Sequence, residues 1–567
     1  MPAIELADSH RANNPVIGVF APGDPRLDET VRDRCRNIVK IIADSIEGRV
    51  LLPTGEPCQV VYSRTLVDGE KTADIVAAAF KEAGVNILVG VPDTWSFPQL
   101  TTISLMAHFP KDTPINLTCG NAGPKPGVVY AQATAGAVSQ YRLIHMNVGT
   151  WEDRGMFPKV KPDTIDRLVD WCHAAVTKQY LKGKRVAVIG HDSMGMETAM
   201  AHIIPVRKQF GLEFARVDMK LISDLMRKEA YCKKEQKELA SWLKAKSGGV
   251  QLNNADDEAK FEESCAMYLV LRDFLKDLNA IGGGFMNQLE WGSDKRGIGM
   301  ATPDIAECFF NSTFDHQGKK APIPFATEAD MQGMLTMLIF SCLTAGKAPL
   351  FMDFRKVWEP DEIKALAAEK GISIDENALW AGKGFVDGNN SGSAAFDWAG
   401  MPGDSVDALM KNVTFPLADP AYFIGGGNSA CFHSPGGIKG IAGRMMYSEI
   451  SGLFSMSWDE AETADIPADM RKEFADLTDP TWPHTFLTPK YATMNEYKHF
   501  PPANHIHMIE GLKPAVLEYW MDLCNVLSQQ AWNARPSYIE GVDRPMPLLY
   551  LANGGEDNTK LMLAKKL

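Results

Sequence analysis

The sequence predicts an α/β protein with two Rossmann-like α/β N-terminal domains built on parallel sheets, followed by a β-rich C-terminal domain. Three observations predict it. Short apolar runs alternate with amphipathic stretches from Asn14 onward, and a polar hinge, Leu181-Lys-Gly-Lys-Arg185, precedes a second series of the same kind. Beyond about Trp358 the pattern changes to short strands, Gly-rich loops and many prolines. Buried strands alternating with helices are the mark of βαβ units, which build parallel sheets.

Val16-Ile-Gly-Val-Phe20 reads as the first strand, closed by a Gly/Pro turn, and Glu29 to Ile46 carries apolar residues at helical spacing. Thr72 to Ala83 reads as a helix, Val85 to Val91 as a wholly apolar strand, Pro126 to Gln140 as a helix and Tyr141 to Val148 as a strand. A helix from Asp163 to Tyr180 closes this series. Val186-Ala-Val-Ile-Gly190 opens the second, followed by the loop His191 to Gly195 and a helix. A charged helical stretch from Leu221 to Lys246 breaks at Ser247-Gly-Gly249 and resumes from Asp256 to Asn279. The expected domains are residues 1–180, 181–355 and 356–567.

Of the 567 residues 58 are basic and 71 acidic, a net charge of −13, and 45% are apolar. That is an ordinary globular composition with material for a sizeable core. No block of Lys or Arg offsets the acidity, so neither nucleic acid nor a membrane surface is expected as a partner. The ten cysteines are scattered, with no C-x-x-C pair, and are expected to be reduced thiols. The first fifteen residues lack an apolar h-region, and no apolar run reaches the roughly 18 residues of a spanning helix, so a cytoplasmic protein is expected.

Ile424-Gly-Gly-Gly-Asn-Ser-Ala430 satisfies G-x-G-x-x-A, with Glu449 downstream. Pro420 interrupts the strand before it and His433-Ser-Pro-Gly-Gly437 cannot continue as a helix, so the segment reads as a tight turn near a ligand. There is no P-loop, and Gly190-His-Asp-Ser-Met-Gly195 is out of register for a nucleophile elbow. More specific is Pro324-Phe-Ala-Thr-Glu328-Ala-Asp330, an apolar helical run from Met331 to Leu343, and Pro349-Leu-Phe-Met-Asp353-Phe-Arg355. Read as strand, helix and returning parallel strand, it puts Glu328 and Asp353 at the C-terminal edge of one sheet, where two hard oxygen ligands can converge on a divalent cation. The plain alternative is an N-cap glutamate and an aspartate paired with Arg355. Asn504-His505-Ile506-His507 is the densest histidine cluster; in an extended chain both rings share a face, and one can complete a carboxylate/carboxylate/imidazole site.

Taken in order, Thr94-Trp95, Pro126-Gly127, Ser193-Met-Gly195, Asn311-Ser-Thr-Phe-Asp315, Ala326-Thr-Glu328, Asp353-Phe-Arg355 with Trp358, Asn390-Ser-Gly-Ser-Ala-Ala395, Gly425-Gly-Gly427, Thr481-Trp-Pro483 and Ala503-Asn-His505 resemble the L-fucose isomerase family over nearly the whole chain. The resemblance implies that Glu328, Asp353 and His505 hold Mn²⁺, or another divalent cation such as Mg²⁺ or Co²⁺. It also implies that Glu328 and Asp353 are catalytic, and that Arg26, Trp95, Gln288, Ser393, Asn428, Trp482 and Asn504 contact a small sugar. The implied assembly is a homohexamer in which Trp95 acts in a neighbouring subunit's pocket. The implied reaction interconverts an aldose and a ketose, L-fucose/L-fuculose or D-arabinose/D-ribulose in type, through a cis-enediol. The residue types suit it: a cation chelated by O1 and O2 acts as a Lewis acid, and two carboxylates flank the enediol as acid and base.

The sequence departs from the family at the pocket. Phe20 stands where an Arg tends to follow the first strand, Asn428 where an aromatic often follows the glycines, and His484-Thr-Phe486 where a Trp-bearing segment is usual. Between Phe285 and Trp291 only Gln288 matches the family's glutamines. A changed sugar preference follows, because polar pocket contacts decide which hydroxyl pattern is tolerated. The alternatives are a lyase or epimerase sharing the enediol, and a non-catalytic carbohydrate-binding protein on the same scaffold.

Overall fold

The computed structural model describes residues 14–122, 125–191, 195–288, 291–292, 298–389, 392, 394–478, 481–499 and 503–530. The chain forms two compact units: residues up to Lys182 with Ala515–Cys524, and Gly183–Pro514 with the segment from Asn525.

In the first unit, strands β1 (Val16–Phe20), β2 (Gln59–Tyr62), β3 (Ile87–Gly90), β4 (Ile115–Cys119) and β5 (His145–Val148) form one parallel sheet in the order β2-β1-β3-β4-β5. This is a doubly wound order. Helix α1 (Glu29–Ile46) starts where the Asp28 carboxylate accepts the Val31 N–H, and it buries the face Cys35, Ile38, Val39, Ile42 and Ile46 that its spacing predicts. Gly18 is required in β1: a Cβ there would stand 2.7 Å from the Val85 side chain and 2.8 Å from the Phe80 ring. The predicted strands and helices of this unit all occur, with ends shifted by up to four residues. The late helix Pro514–Cys524 belongs to this unit, with His145 edge-on to Tyr519 and Lys178 Nζ donating to the Leu523 carbonyl.

The second unit begins with a smaller parallel sheet of β6 (Arg185–Ile189), β7 (Glu213–Val217), β8 (Ala280–Phe285) and β9 (Phe325–Ala326), ordered β9-β8-β6-β7. The charged stretch read as one helix is two, Met219–Arg227 and Lys233–Lys246, broken at Glu229, whose φ is 50°. Strand β8 escapes a propensity reading because Gly282-Gly-Gly284 weakens it, yet packing demands those glycines. A Cβ on Gly283 would meet the Phe325 ring at 2.9 Å, and one on Gly284 the Met331 sulfur at 2.8 Å.

The C-terminal part of this unit is built around a closed barrel with helices in its connections. Strands β10 (Leu350–Trp358), β11 (Phe385–Asn389), β12 (Lys439–Ser448), β13 (Leu453–Thr463), β14 (His484–Pro489) and β15 (His505–Glu510) follow one another in the order β12-β15-β10-β11-β14-β13, and β12 pairs with β13 to complete the ring. All these pairings are antiparallel, and Leu527–Gln530 adds to β13 in parallel. Closure leaves no ladder edge among the six. The face carrying Leu350, Met352, Val386, Leu487, Ile506 and Met508 is buried in the main core, and the opposite face of β15 receives the buried helix Met331–Leu343.

Leu350–Trp358 does not return parallel to the sheet that precedes Glu328; it is an antiparallel barrel strand, so Glu328 and Asp353 come from different sheets. The strand's length and apolar start match either role, and only its partners distinguish them. None of the ten cysteines is in a disulfide, and no helix among the described residues is long and apolar enough to cross a membrane.

At the start of the helix Asp304–Asn311, Asp304 is fully buried, accepting hydrogen bonds from Thr302 Oγ1 (2.6 Å) and Ser429 Oγ (2.5 Å). Burial pushes its carboxyl up from 3.8 to about 7. A carboxyl raised in the folded state stabilises below its unfolded value, and that contribution is lost as pH rises through the folded value, on the order of 4 kcal/mol in all. Asp304→Asn is therefore expected to gain on the wild type in melting temperature as pH goes from 5 to 8. A difference constant across that range would contradict the assignment.

Candidate active site

Glu328 follows β9 in the short turn Thr327–Ala329, and both Glu328 (φ 58°) and Ala329 (φ 51°) are left-handed. Two such non-glycine residues cost on the order of 1–3 kcal/mol each and persist only where the surroundings over-determine them. The surroundings here are Asn287, buried, whose Oδ1 accepts the Glu328 N–H (3.3 Å) while its Nδ2 donates to Thr327 Oγ1 (2.6 Å) and Glu307 Oε1 (3.1 Å). Gln288 Nε2 donates to Glu328 Oε1 at 2.7 Å, which aims the other carboxylate oxygen outward.

The barrel supplies the facing side. His505 on β15 stands directly opposite Asp353 on β10, so both side chains project from one face. His505 Nε2 lies 3.5 Å from Glu328 Oε2. Its Nδ1 is 2.8 Å from Asp330 Oδ2, an acceptor that fixes Nδ1 as the protonated nitrogen and leaves Nε2 for the site. Asp330 also caps the helix Met331–Leu343 through the Gly333 N–H and receives both ends of the Arg444 guanidinium, at 2.5 and 2.8 Å. Arg444 reaches the Thr198 carbonyl as well, and His507, on the same face of β15 as His505, lies 3.2 Å from it. Asp330 and Arg444 are 0% and 1% exposed, which makes this a bidentate ion pair sealed behind His505.

The electrostatics follow from burial and neighbours. Burial raises the Glu328 carboxyl, with Asp353 and Asp330 adding to it and His505 opposing. Burial raises Asp353 as well, offset by His505 and Arg355. Burial would also raise Asp330, but Arg444 and His505 hold it well below the usual carboxylate range. Burial would lower His505, yet its bond to Asp330 and the charges of Glu328 and Asp353 raise it. The result is a set of two carboxyls and an imidazole whose protonation is coupled through burial and mutual charge.

The donor set fits a hard divalent cation: adjacent donors on an octahedral ion with ~2.1 Å bonds stand about 3 Å apart, close to the Glu328–His505 spacing. Among the described residues no three His, Cys, Asp or Glu side chains already close on one point. Asp353 is the open member, its Oδ2 held by Arg355 Nε at 3.2 Å, while Arg355 also lies 5.4 Å from the centre of the Trp482 ring.

The remaining predicted residues divide. Gln288 and Trp482 are brought to this cluster, and Asn504 flanks His505, exposed, with its carbonyl taking the Phe354 N–H. Asn428 spends its amide on the Gln251 and Phe415 carbonyls, closing the glycine loop. That loop's glycines serve packing: a Cβ on Gly425 would stand 1.9 Å from the Met300 carbonyl. Ser393 lies outside the described residues. In the first unit Arg26 pairs with Asp24 (2.6 Å) and stacks over Phe97, which meets Trp95 edge-on, so those two residues share one cluster there. Sequence reasoning missed Asn287 and Arg444, although an arginine inside Gly440-Ile-Ala-Gly-Arg444-Met-Met-Tyr447 was a legible sign of a buried partner.

Three family models match the chain: L-fucose isomerase, first N-terminal domain, over residues 14–183; second N-terminal domain over 184–345; and C-terminal domain over 388–527. An L-fucose isomerase of Vibrio vulnificus is 25% identical over 509 residues, covering 83% of this chain and 84% of its own. One from Haemophilus influenzae is 25% identical over 529 residues, 86% of each chain, and one from Bacteroides thetaiotaomicron 24% over 598 residues, 93% of this chain and 97% of its own.

Proposed function

The chain belongs to the L-fucose isomerase family and is thus an aldose–ketose isomerase, and from that premise we propose that it works with a divalent cation, Mn²⁺ by preference, held by Glu328, Asp353 and His505. The observation that carries this reading is that Glu328 Oε2 lies 3.5 Å from His505 Nε2, the ring nitrogen turned to the site by the Asp330 bond, while Asp353 stands opposite His505 on the adjacent strand. When bound, the cation supplies Lewis-acid polarisation of the sugar's O1 and O2.

The chain's own groups then move protons. The Glu328 carboxylate takes the hydrogen from C2 of the open-chain aldose as O1 gains a proton, giving a cis-enediol. Returning the proton to C1 while O2 loses its own gives the ketose, with Asp353 serving the oxygens. Carboxyls raised by burial suit this role, since a group with a pKa nearer neutrality both accepts and releases a proton readily. Gln288 keeps Glu328 in place, and the sealed Asp330–Arg444 pair keeps His505 from turning.

The substrate we propose is L-fucose, D-arabinose or an aldose of the same configuration near C2, and the assembly a homohexamer, which light scattering checks. Dialysis against a chelator is expected to abolish ketose formation and Mn²⁺ to restore it; activity that persists in chelator would refute the metal dependence. Incubation with aldoses in D₂O, read by NMR, is expected to place deuterium at C1 or C2 of the sugar that reacts. Fragmented or epimerised products would point to a lyase or epimerase.

A further inference from the structure

The in-register row that joins His505 to Asp353 continues across two more strands. Asn389 on β11 pairs with Asp353, and His484 on β14 pairs with Asn389, so four polar side chains line one face of the barrel, one strand spacing of about 4.8 Å apart. The far end of the row is tightly held. Thr478 Oγ1 donates to Asp387 Oδ2, and Asp387 Oδ1 takes His484 Nδ1 at 2.9 Å, which leaves His484 Nε2 as an acceptor. Asn389 Nδ2 fills it at 3.1 Å and reaches the Pro483 carbonyl at 3.1 Å.

Both amide hydrogens of Asn389 are therefore spent on acceptors of one strand and its lead-in. A flipped amide would set its oxygen against the Pro483 carbonyl and His484 Nε2, so the orientation is forced. The amide oxygen is left fully buried with no hydrogen-bond partner among the described residues, and Asn389 itself is 0% exposed. A buried carbonyl without a donor is rare and calls for an explanation. The row opens to solvent at its neighbour Asp353, whose side chain is 17% exposed.

We propose that Asn389 is a specificity-determining residue whose amide oxygen accepts a hydroxyl hydrogen from the sugar beyond C2, at C3 or C4. The proposal rests on the isomerase reading, which puts C1 and C2 at Glu328 and Asp353. A sugar entering past Asp353 carries its next hydroxyls along the row toward Asn389, and a hydroxyl is the donor that the orphaned oxygen lacks. The triad Asp387–His484–Asn389 acts by holding that oxygen in place.

The test compares kcat/KM for L-fucose and D-arabinose with their 3-deoxy and 4-deoxy analogues. Wild-type protein is expected to disfavour one deoxy position by at least about 10²-fold, since a site built to bond a hydroxyl rejects the analogue that lacks it. In Asn389→Leu, with folding checked by circular dichroism, that discrimination is expected to fall to within about threefold, and His484→Phe is expected to reduce it in part. Wild-type protein that accepts both deoxy analogues as well as the parent overturns the proposal without any variant. So does an Asn389→Leu protein that slows every sugar by one common factor, which would make Asn389 a support for Asp353 alone. Wild-type protein that converts no aldose overturns the isomerase reading, and this proposal with it.

Discussion

Glu328→Gln is expected to lower kcat/KM for aldose–ketose conversion by at least about 10³-fold, within the range that loss of a positioned acid or base costs. The substitution preserves shape: the amide oxygen still accepts the Gln288 bond, and the Asn287 bond to the Glu328 N–H is a main-chain contact that any side chain leaves intact. What disappears is the negative charge and the ability to hold a proton, the two properties that the proposed mechanism needs there. Folding should change little or improve slightly, because a buried carboxyl that burial opposes has been replaced by a neutral group. Near-normal Mn²⁺-dependent turnover in the variant would remove Glu328 from the chemistry. A loss of turnover accompanied by unfolding would be inconsistent with the geometry.

Arg444→Met is expected to destabilise the second unit by about 3–5 kcal/mol, because it strands the Asp330 carboxylate in a fully buried position. It is also expected to weaken Mn²⁺ binding by about 10- to 100-fold, since Asp330 is the group that fixes the His505 ring. Urea denaturation reads the first effect and metal titration the second. The double variant Arg444→Met/Asp330→Asn separates them: removing both charges is expected to recover most of the stability while metal affinity stays low. If the double variant recovered both, the pair would be structural only, with no bearing on His505. If Arg444→Met alone left metal affinity unchanged, His505 would be oriented by something else.

Much of the first unit was legible because its strands are wholly buried and its helices amphipathic, so period and burial coincide, as in Val16–Phe20 and Glu29–Ile46. The break near Glu229 was not, because charged residues on both sides are good helix formers and a single left-handed residue ends the run. Strand Ala280–Phe285 was hidden by its glycines, which oppose β-structure locally and are there for contacts with Phe325 and Met331. At the site, Glu328 and Asp353 were found as carboxylates beside an apolar helix, and His505 as half of a histidine pair in an extended segment. The residue pattern alone left open which of the two histidines reaches the site; the family resemblance named His505. The structure sends His505 to Glu328 and His507 to Arg444.

By itself, then, the sequence determined the order of strands and helices in the first unit, the class of the domains and the residue types able to hold a cation, since these depend on local periodicity and on chemistry carried by single side chains. The tertiary structure decided how those side chains meet. Asp353 belongs to an antiparallel barrel because its strand found partners more than 30 and 150 residues away, Phe385–Asn389 and His505–Glu510. Asn287 and Arg444 are tied to the site, and Asn389 to His484 beside it, through hydrogen bonds spanning 41, 114 and 95 residues. Contacts of that sequence separation leave no periodic trace, because what selects them is the burial of a charge or an amide against one particular partner.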